Sequence, residues 1–122
     1  MQAIVLASRS RTGHSARVPF TIRLQEYSGA TVDEIQDDGT LTRLLRDFHD
    51  KDSAVIRFLD PYDDTMLNSL QMEVLMIELA QKAETLTSPD ERAVVQRLID
   101  LADQGASGRP RQVHRELWFI GD

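Results

Sequence analysis

The stretch from Phe58 to Met76, FLDPYDDTMLNSLQMEVLM, constrains the fold more than any other part of the chain. Just before and into it, residues 54–59 (AVIRFL) are the most apolar strand candidate, predicted to lie centrally in a sheet. Asp60-Pro61 ends that strand, because the residue before proline stays extended and proline cannot continue a ladder. Asp63, Asp64 and Thr65 then read as N-cap and first-turn residues of a helix over residues 65–85. That helix carries two apolar stripes. Leu67, Leu70, Val74 and Ile77 make one; Met72, Leu75, Leu79, Ala83 and Leu86 make the other, widened by Met76 and Ala80. A helix apolar on two sides is sandwiched. One stripe should cover the sheet, and the other needs the next helix or another subunit.

The flanking segments supply the remaining elements. Residues 18–27 (VPFTIRLQEY) alternate, with Phe20, Ile22 and Leu24 on one side and Thr21, Arg23 and Gln25 on the other, as in a strand with one wet face. A turn at Ser28-Gly29-Ala30 returns residues 31–35 as a hairpin partner. Asp38 is placed to cap a short helix through Leu41, Leu44, Leu45 and Phe48. Ser88-Pro89-Asp90-Glu91 starts a further helix with the stripe Val94, Val95, Leu98, Leu101 and Ala102, and Gly105 reads as its end. Residues 105–112 then form a flexible basic loop, and residues 113–120 (VHRELWFI) alternate again. The order predicts an α+β domain over residues 18–122: a mainly antiparallel sheet of three to four strands, two long helices on one face and one short helix. Residues 1–17, Ser/Arg-rich and free of acids, read as a flexible basic N-terminal extension.

Charge and composition narrow the function. The first 25 residues carry +4, residues 26–64 carry −7 and residues 65–122 carry −3, for a net −6. An acidic body repels phosphate backbones, which disfavours nucleic acid, even through the Arg-rich start, and suits a basic or mixed-charge protein partner. No apolar run approaches the roughly 18 residues of a membrane span. The absence of cysteine excludes thiol catalysis and Cys-ligated metals, and it suits a reducing cytoplasm.

The acidic turn is the leading candidate site. Asp60, Asp63 and Asp64 beside Tyr62 offer several oxygens to a hard cation, although the spacing is not that of an EF-hand and local capping accounts for each acid. Among the three histidines, His114 sits on a predicted strand and can reach an acid across the sheet. No two-His spacing suggests zinc, and no glycine-rich phosphate loop or GxSxG elbow appears, so no metal or cofactor is expected. Arg23, Arg57 and Arg115 each fall on a predicted strand; on one open face they would make a carboxylate or phosphate patch. Trp118 and the methionines Met66, Met72 and Met76 offer an interaction surface or core packing.

The string Phe58-Leu59-Asp60-Pro61-Tyr62-x-Asp64-Thr65-x-x-Asn68-x-Leu70-Gln71-Met72, with the ending His114-x-x-Leu117-x-Phe119-Ile120-Gly121-Asp122, resembles a group of small uncharacterised bacterial proteins. The resemblance spans residues 18–122 and implies a bacterial, cytoplasmic protein. It implies no substrate.

Two functions compete on these residues. The first is a non-enzymatic protein-binding module, regulatory or immunity-like, open to homo-oligomerisation. The second is a small enzyme or ligand- or cation-binding protein that uses Asp60, Tyr62, Asp63 and Asp64 with Arg57, Asn68, His114 or Trp118.

Overall fold

A computed structural model describes residues 19–108 and 114–121. The expected basic extension and residues 109–112 of the expected basic loop lie outside the described residues. Four strands, β1 (Thr21–Glu26), β2 (Thr31–Gln36), β3 (Thr65–Leu67) and β4 (Arg115–Ile120), form one antiparallel sheet in the order β2-β1-β4-β3. Three helices accompany it: α1 (Thr40–Asp47), α2 (Ser69–Ala83) and α3 (Pro89–Ser107). This is the α+β architecture that the order of elements predicts.

Alternation decides which face of the sheet is covered. Register sets Ile22 opposite Ile35 and Phe119, and Leu24 opposite Leu117, so one face is a continuous apolar floor. Phe20, Ile22, Leu24, Leu67, Leu117 and Phe119 are buried there beneath the helices, and the Phe20 and Phe119 rings meet edge-on at 5.6 Å. From the helices, Met72, Leu75 and Leu79 of α2 meet Val95, Leu98, Leu101 and Ala102 of α3.

The short helix starts through two aspartates. Asp38 accepts from the Thr40 amide at 3.0 Å, but the N-cap position is Gly39, so Asp38 supports the start of the helix from outside it and is not the cap expected of it. Asp37 does more: its carboxylate takes the Leu41 and Thr42 amides and the Thr42 hydroxyl. That hydroxyl also accepts from the Phe20 amide at 3.1 Å, so one buried polar chain ties the start of β1 to α1. α3 begins as predicted, with the Ser88 hydroxyl accepting from the Glu91 amide and Pro89 at its first position. It does not stop at Gly105. Gly105 lies inside α3 because Met72 and Leu24 pack where its side chain would be, the Leu24 methyl 2.7 Å from an ideal Cβ. Gly108, with φ 68°, makes the left-handed cap instead.

The largest correction falls on residues 54–59. They are no strand. A single 3-10 turn (Ile56–Phe58) replaces it, and the reason is where the backbone N–H groups go. The Glu78 carboxylate, reaching from α2, accepts from the amides of Ala54, Val55 (3.2 Å) and Ile56 (3.0 Å). Asp50 takes the Asp52 and Ser53 amides, Ser53 Oγ takes Arg57, and the turn itself takes Phe58 and Leu59. No donor from Asp52 to Leu59 is left for a ladder. Val55, Ile56 and Leu59 are buried all the same, which is why the run reads as apolar.

The strand at this edge is β3, drawn from residues expected to open the helix. Thr65, Met66 and Leu67 pair with Phe119, Trp118 and Leu117. α2 therefore begins four residues later than predicted. Asn68 caps it in a capping box with Gln71, each side chain accepting from the other's amide at 2.9 Å.

Removing the Glu78 carboxylate leaves three adjacent amides without their acceptor. Glu78→Ala should lower unfolding free energy by about 1–3 kcal/mol, and Glu78→Gln, which keeps one acceptor oxygen, by less. Urea denaturation checks the order, and faster hydrogen exchange at Val55 and Ile56 checks the cause.

Candidate functional site

The acidic turn is locked to the residue that follows the last strand. Asp60 Oδ1 accepts from the Tyr62 amide at 2.9 Å, and Asp63 Oδ1 from the Asp64 amide at 2.9 Å. Asp64 Oδ1 accepts from the amide of Gly121, fifty-seven residues away, at 3.0 Å. Gly121 is pressed against the turn: a Cβ there would stand 2.5 Å from the Asp63 carbonyl oxygen and 2.6 Å from that of Pro61. Thus the FLDPYxDT string and the FIGD ending touch. None of Asp63, Asp64 or Thr65 caps α2, which corrects the sequence expectation. β3 intervenes between turn and helix. Among the described residues no three acidic or histidine side chains gather closely enough to hold a metal ion.

The expected arginine patch does not form, because the three guanidiniums leave the backbone in different settings. Arg23 lies on the open sheet face and pairs with Glu34 at 2.7 Å. Hydrogen bonds from Arg23, then Gln36, hold the Glu34 carboxyl below the ordinary carboxylate range. Arg115, 5% exposed, lies on the inner face, where Nη1 donates to the Gln104 carbonyl at 3.0 Å. Arg57 sits on the 3-10 turn and not on a strand; its Nη1 donates to the Lys51 carbonyl at 3.2 Å and its Cζ lies 4.6 Å from the Phe58 ring centroid.

The structure separates the candidate residues into four places. Arg57 and Asp60 share a cavity of about 260 Å³ whose floor is Phe20, Leu45 and Leu59. Arg46 and His49, at the end of α1, complete its rim. Asn68 and His114 line a shallow groove with Tyr27, Met66 and Glu116 at the far end of the sheet. Trp118 stands half-buried on the open face beside Met66 and Arg23, its Nε1 donating to Glu116 at 3.3 Å. Tyr62 is exposed on the turn. Sequence reasoning misses Arg46 and His49 because basic residues at a helix C-terminus already have a local explanation in the helix dipole.

The two stripes of α2 have different fates. Met72, Leu75 and Leu79 are buried against sheet and α3, with Met76 and Ala83 packed beside them. On the other stripe Val74 is half-buried, while Leu70 is 67% and Ile77 is 60% exposed. Neither the sheet nor α3 covers them.

No known protein family matches the chain, and no curated protein or solved structure shows significant similarity to it.

If the turn is a lock, Gly121→Ala should destabilise the domain by about 1–3 kcal/mol, since the colliding atoms are backbone. Asp64→Ala should cost about 1 kcal/mol, one exposed hydrogen bond's worth. Thermal melts in the presence and absence of magnesium report both effects, and neither melt should depend on the cation.

Proposed function

We propose that this domain is a non-enzymatic protein-binding module and that α2 carries its binding surface. The observation that carries this is the uncovered stripe: Leu70 and Ile77, seven residues apart, expose most of their side chains on one face of a helix whose other face is in the core. Leu70, Val74 and Ile77 follow the i, i+4, i+7 spacing of a helix–helix seam. Large apolar side chains grouped on a surface element mark contact sites, whereas scattered ones need no explanation.

Charge selects the partner. Residues 58–84 hold six acids and one base, Lys82. Lys82 is paired with Asp50, and Glu78 is turned onto the amides of residues 54–56, which leaves Glu73 and Glu84 exposed along the helix. An amphipathic helix with a basic rim matches such a surface. Self-association is the second reading, supported by the same stripe and opposed by the like charges that two copies would bring together. The setting that agrees with the resemblance and with the absence of cysteine is a bacterial cytoplasm. Among the described residues no helix is long and apolar enough to cross a membrane.

A fluorescein-labelled Leu/Lys amphipathic helical peptide serves as a generic probe of the surface. Anisotropy should report saturable binding, at least ten-fold weaker for the Leu70→Lys, Ile77→Lys double variant, with the melting temperature retained. A Leu/Glu peptide of the same pattern should not bind. Equal affinity in wild type and double variant sinks the assignment to α2. Sedimentation of the wild-type chain separates self-association, which would appear as a dimer dissociated by the same two substitutions.

A further inference from the structure

The cavity between the end of α1 and the 3-10 turn stands apart from the α2 stripe, and its chemistry has the opposite sign. In a chain of net charge −6, it is where Arg46, Arg57 and His49 come together around one opening. We infer that this cavity is a binding site for a small amphiphilic anion, an apolar body of a few carbons ending in a carboxylate or phosphate.

Four features carry the assignment. First, the floor is apolar and preformed: Phe20, Leu45 and Leu59 are 1%, 3% and 8% exposed, and they belong to three different segments of the fold. Second, the cationic groups sit at the rim and not in the floor, so a bound headgroup stays at the mouth while its body replaces water below. Third, Arg57 is held in place before any ligand arrives. Its Nη1 is anchored on the Lys51 carbonyl and its plane is near the Phe58 ring, which lowers the ordering cost of presenting the other N–H groups. Fourth, Arg46 is loosely held, its Nε 4.0 Å from Asp47, and is 53% exposed, so it is available to close a second hydrogen-bonded fork.

The charge count also fixes the sign of the ligand. Asp60 is the acid in the lining, and one of its oxygens is committed to the Tyr62 amide. Asp47, 4.0 Å from Arg46 Nε, lies outside the lining and is also paired with Arg43 at 3.5 Å, so two guanidiniums face one carboxylate at the opening. A cation is repelled, and a neutral ligand gains only the floor. At about 260 Å³ the space is below the usual ~300–1,000 Å³ of drug-sized sites, which limits the ligand to a single ring or a short chain. This also revises the expected role of the turn. Asp60 and Arg57 do share a site, but Arg57, with Arg46, sets its selectivity.

The probes are benzoate, phenyl phosphate, inorganic phosphate and neutral benzyl alcohol, titrated into the full ¹⁵N-labelled chain. Benzoate or phenyl phosphate should produce saturable shifts at the amides of Arg46, His49, Arg57 and Asp60, and whichever of the two binds more tightly identifies the headgroup. Benzyl alcohol and inorganic phosphate should each bind at least ten-fold more weakly than that probe, since each lacks one half of the recognition. Arg46→Gln with Arg57→Gln should weaken binding at least ten-fold. Both residues are exposed, and an unchanged melting temperature confirms that the fold survives. Raising sodium chloride from 20 to 300 mM should weaken wild-type binding as well, which tests the ion pairing without any substitution. Shifts confined to other residues, no saturation by either aromatic anion, or equal affinity in the double variant would overturn the assignment.

Discussion

The carboxylate of Glu78 determines more of this structure than any apolar contact does. By accepting three successive amides, it lets residues 54–59 leave the sheet without stranding buried donors. Buried backbone groups must be paired, so an apolar segment that gives up its ladder needs another acceptor. Glu78 supplies one from α2, and Lys82, one turn on, pairs with Asp50 of the same loop at 3.5 Å. With this loop fixed against α2, Val55, Ile56 and Leu59 enter the core from a turn, and the chain arrives at the acidic turn already beside β4. β3 then has the place at the sheet edge that the apolar run would otherwise take.

That displacement explains why a string from the middle of the sequence and one from its last residues belong together. The FLDPYxDT run makes a tight turn, and the FIGD ending places a residue without a side chain against its backbone. Pro61 and Asp63 carbonyls crowd the space a Cβ would fill, and Asp64 accepts the Gly121 amide. The acids of the turn are thereby accounted for by backbone partners: Asp60 by Tyr62, Asp63 by Asp64, Asp64 by Gly121. Of the three, Asp64 is the one that joins the turn to Gly121, while Asp60 and Asp63 brace the turn itself. Asn68 has the same standing, since its side chain is the acceptor that starts α2.

The period-two strands were legible in the sequence, because alternation forces a covered face and an open one. β1 and β4 follow from Phe20, Ile22, Leu24, Leu117 and Phe119, and β2 from the turn at Ser28-Gly29-Ala30 that returns the chain. The two long helices and the start of α3 were legible too, from stripes and capping residues, whereas α1 is capped by Gly39 and not by Asp38. Residues 54–59 were not legible. A short apolar run has no period that separates a strand from a buried turn, and the acceptor that decides between them lies more than twenty residues away on α2. The late start of α2 had a local signal, Asn68 followed three positions later by Gln71, but Asp63, Asp64 and Thr65 offered a competing cap just upstream. Gly105 misled for a similar reason: a glycine near a helix end usually terminates it, and only the packing of Met72 and Leu24 shows that this one makes room inside. Of the candidate site, Arg57 and Asp60 were named from sequence, whereas their neighbours Arg46 and His49 come together with them only through the packing of α1.

The surface that results is divided by charge in a way the net value of −6 conceals. Along α2, exposed acids flank an apolar stripe. At the end of α1, two guanidiniums rim a cavity of mixed polar and apolar lining. In the readings proposed for them, apolar area supplies the attraction at both surfaces and charge selects the ligand, with opposite signs. They also differ in rigidity. The helix face is one regular element, ready for a partner of matching period. The cavity is assembled from three segments, the start of β1, the end of α1 and residues 57–61, the last of which directly follows the amides that Glu78 holds. Loosening the Glu78 contacts would therefore disturb the cavity while leaving Leu70 and Ile77 presented as before. The two surfaces occupy different elements of the fold, with Glu78 joining α2 to the loop that leads into the cavity.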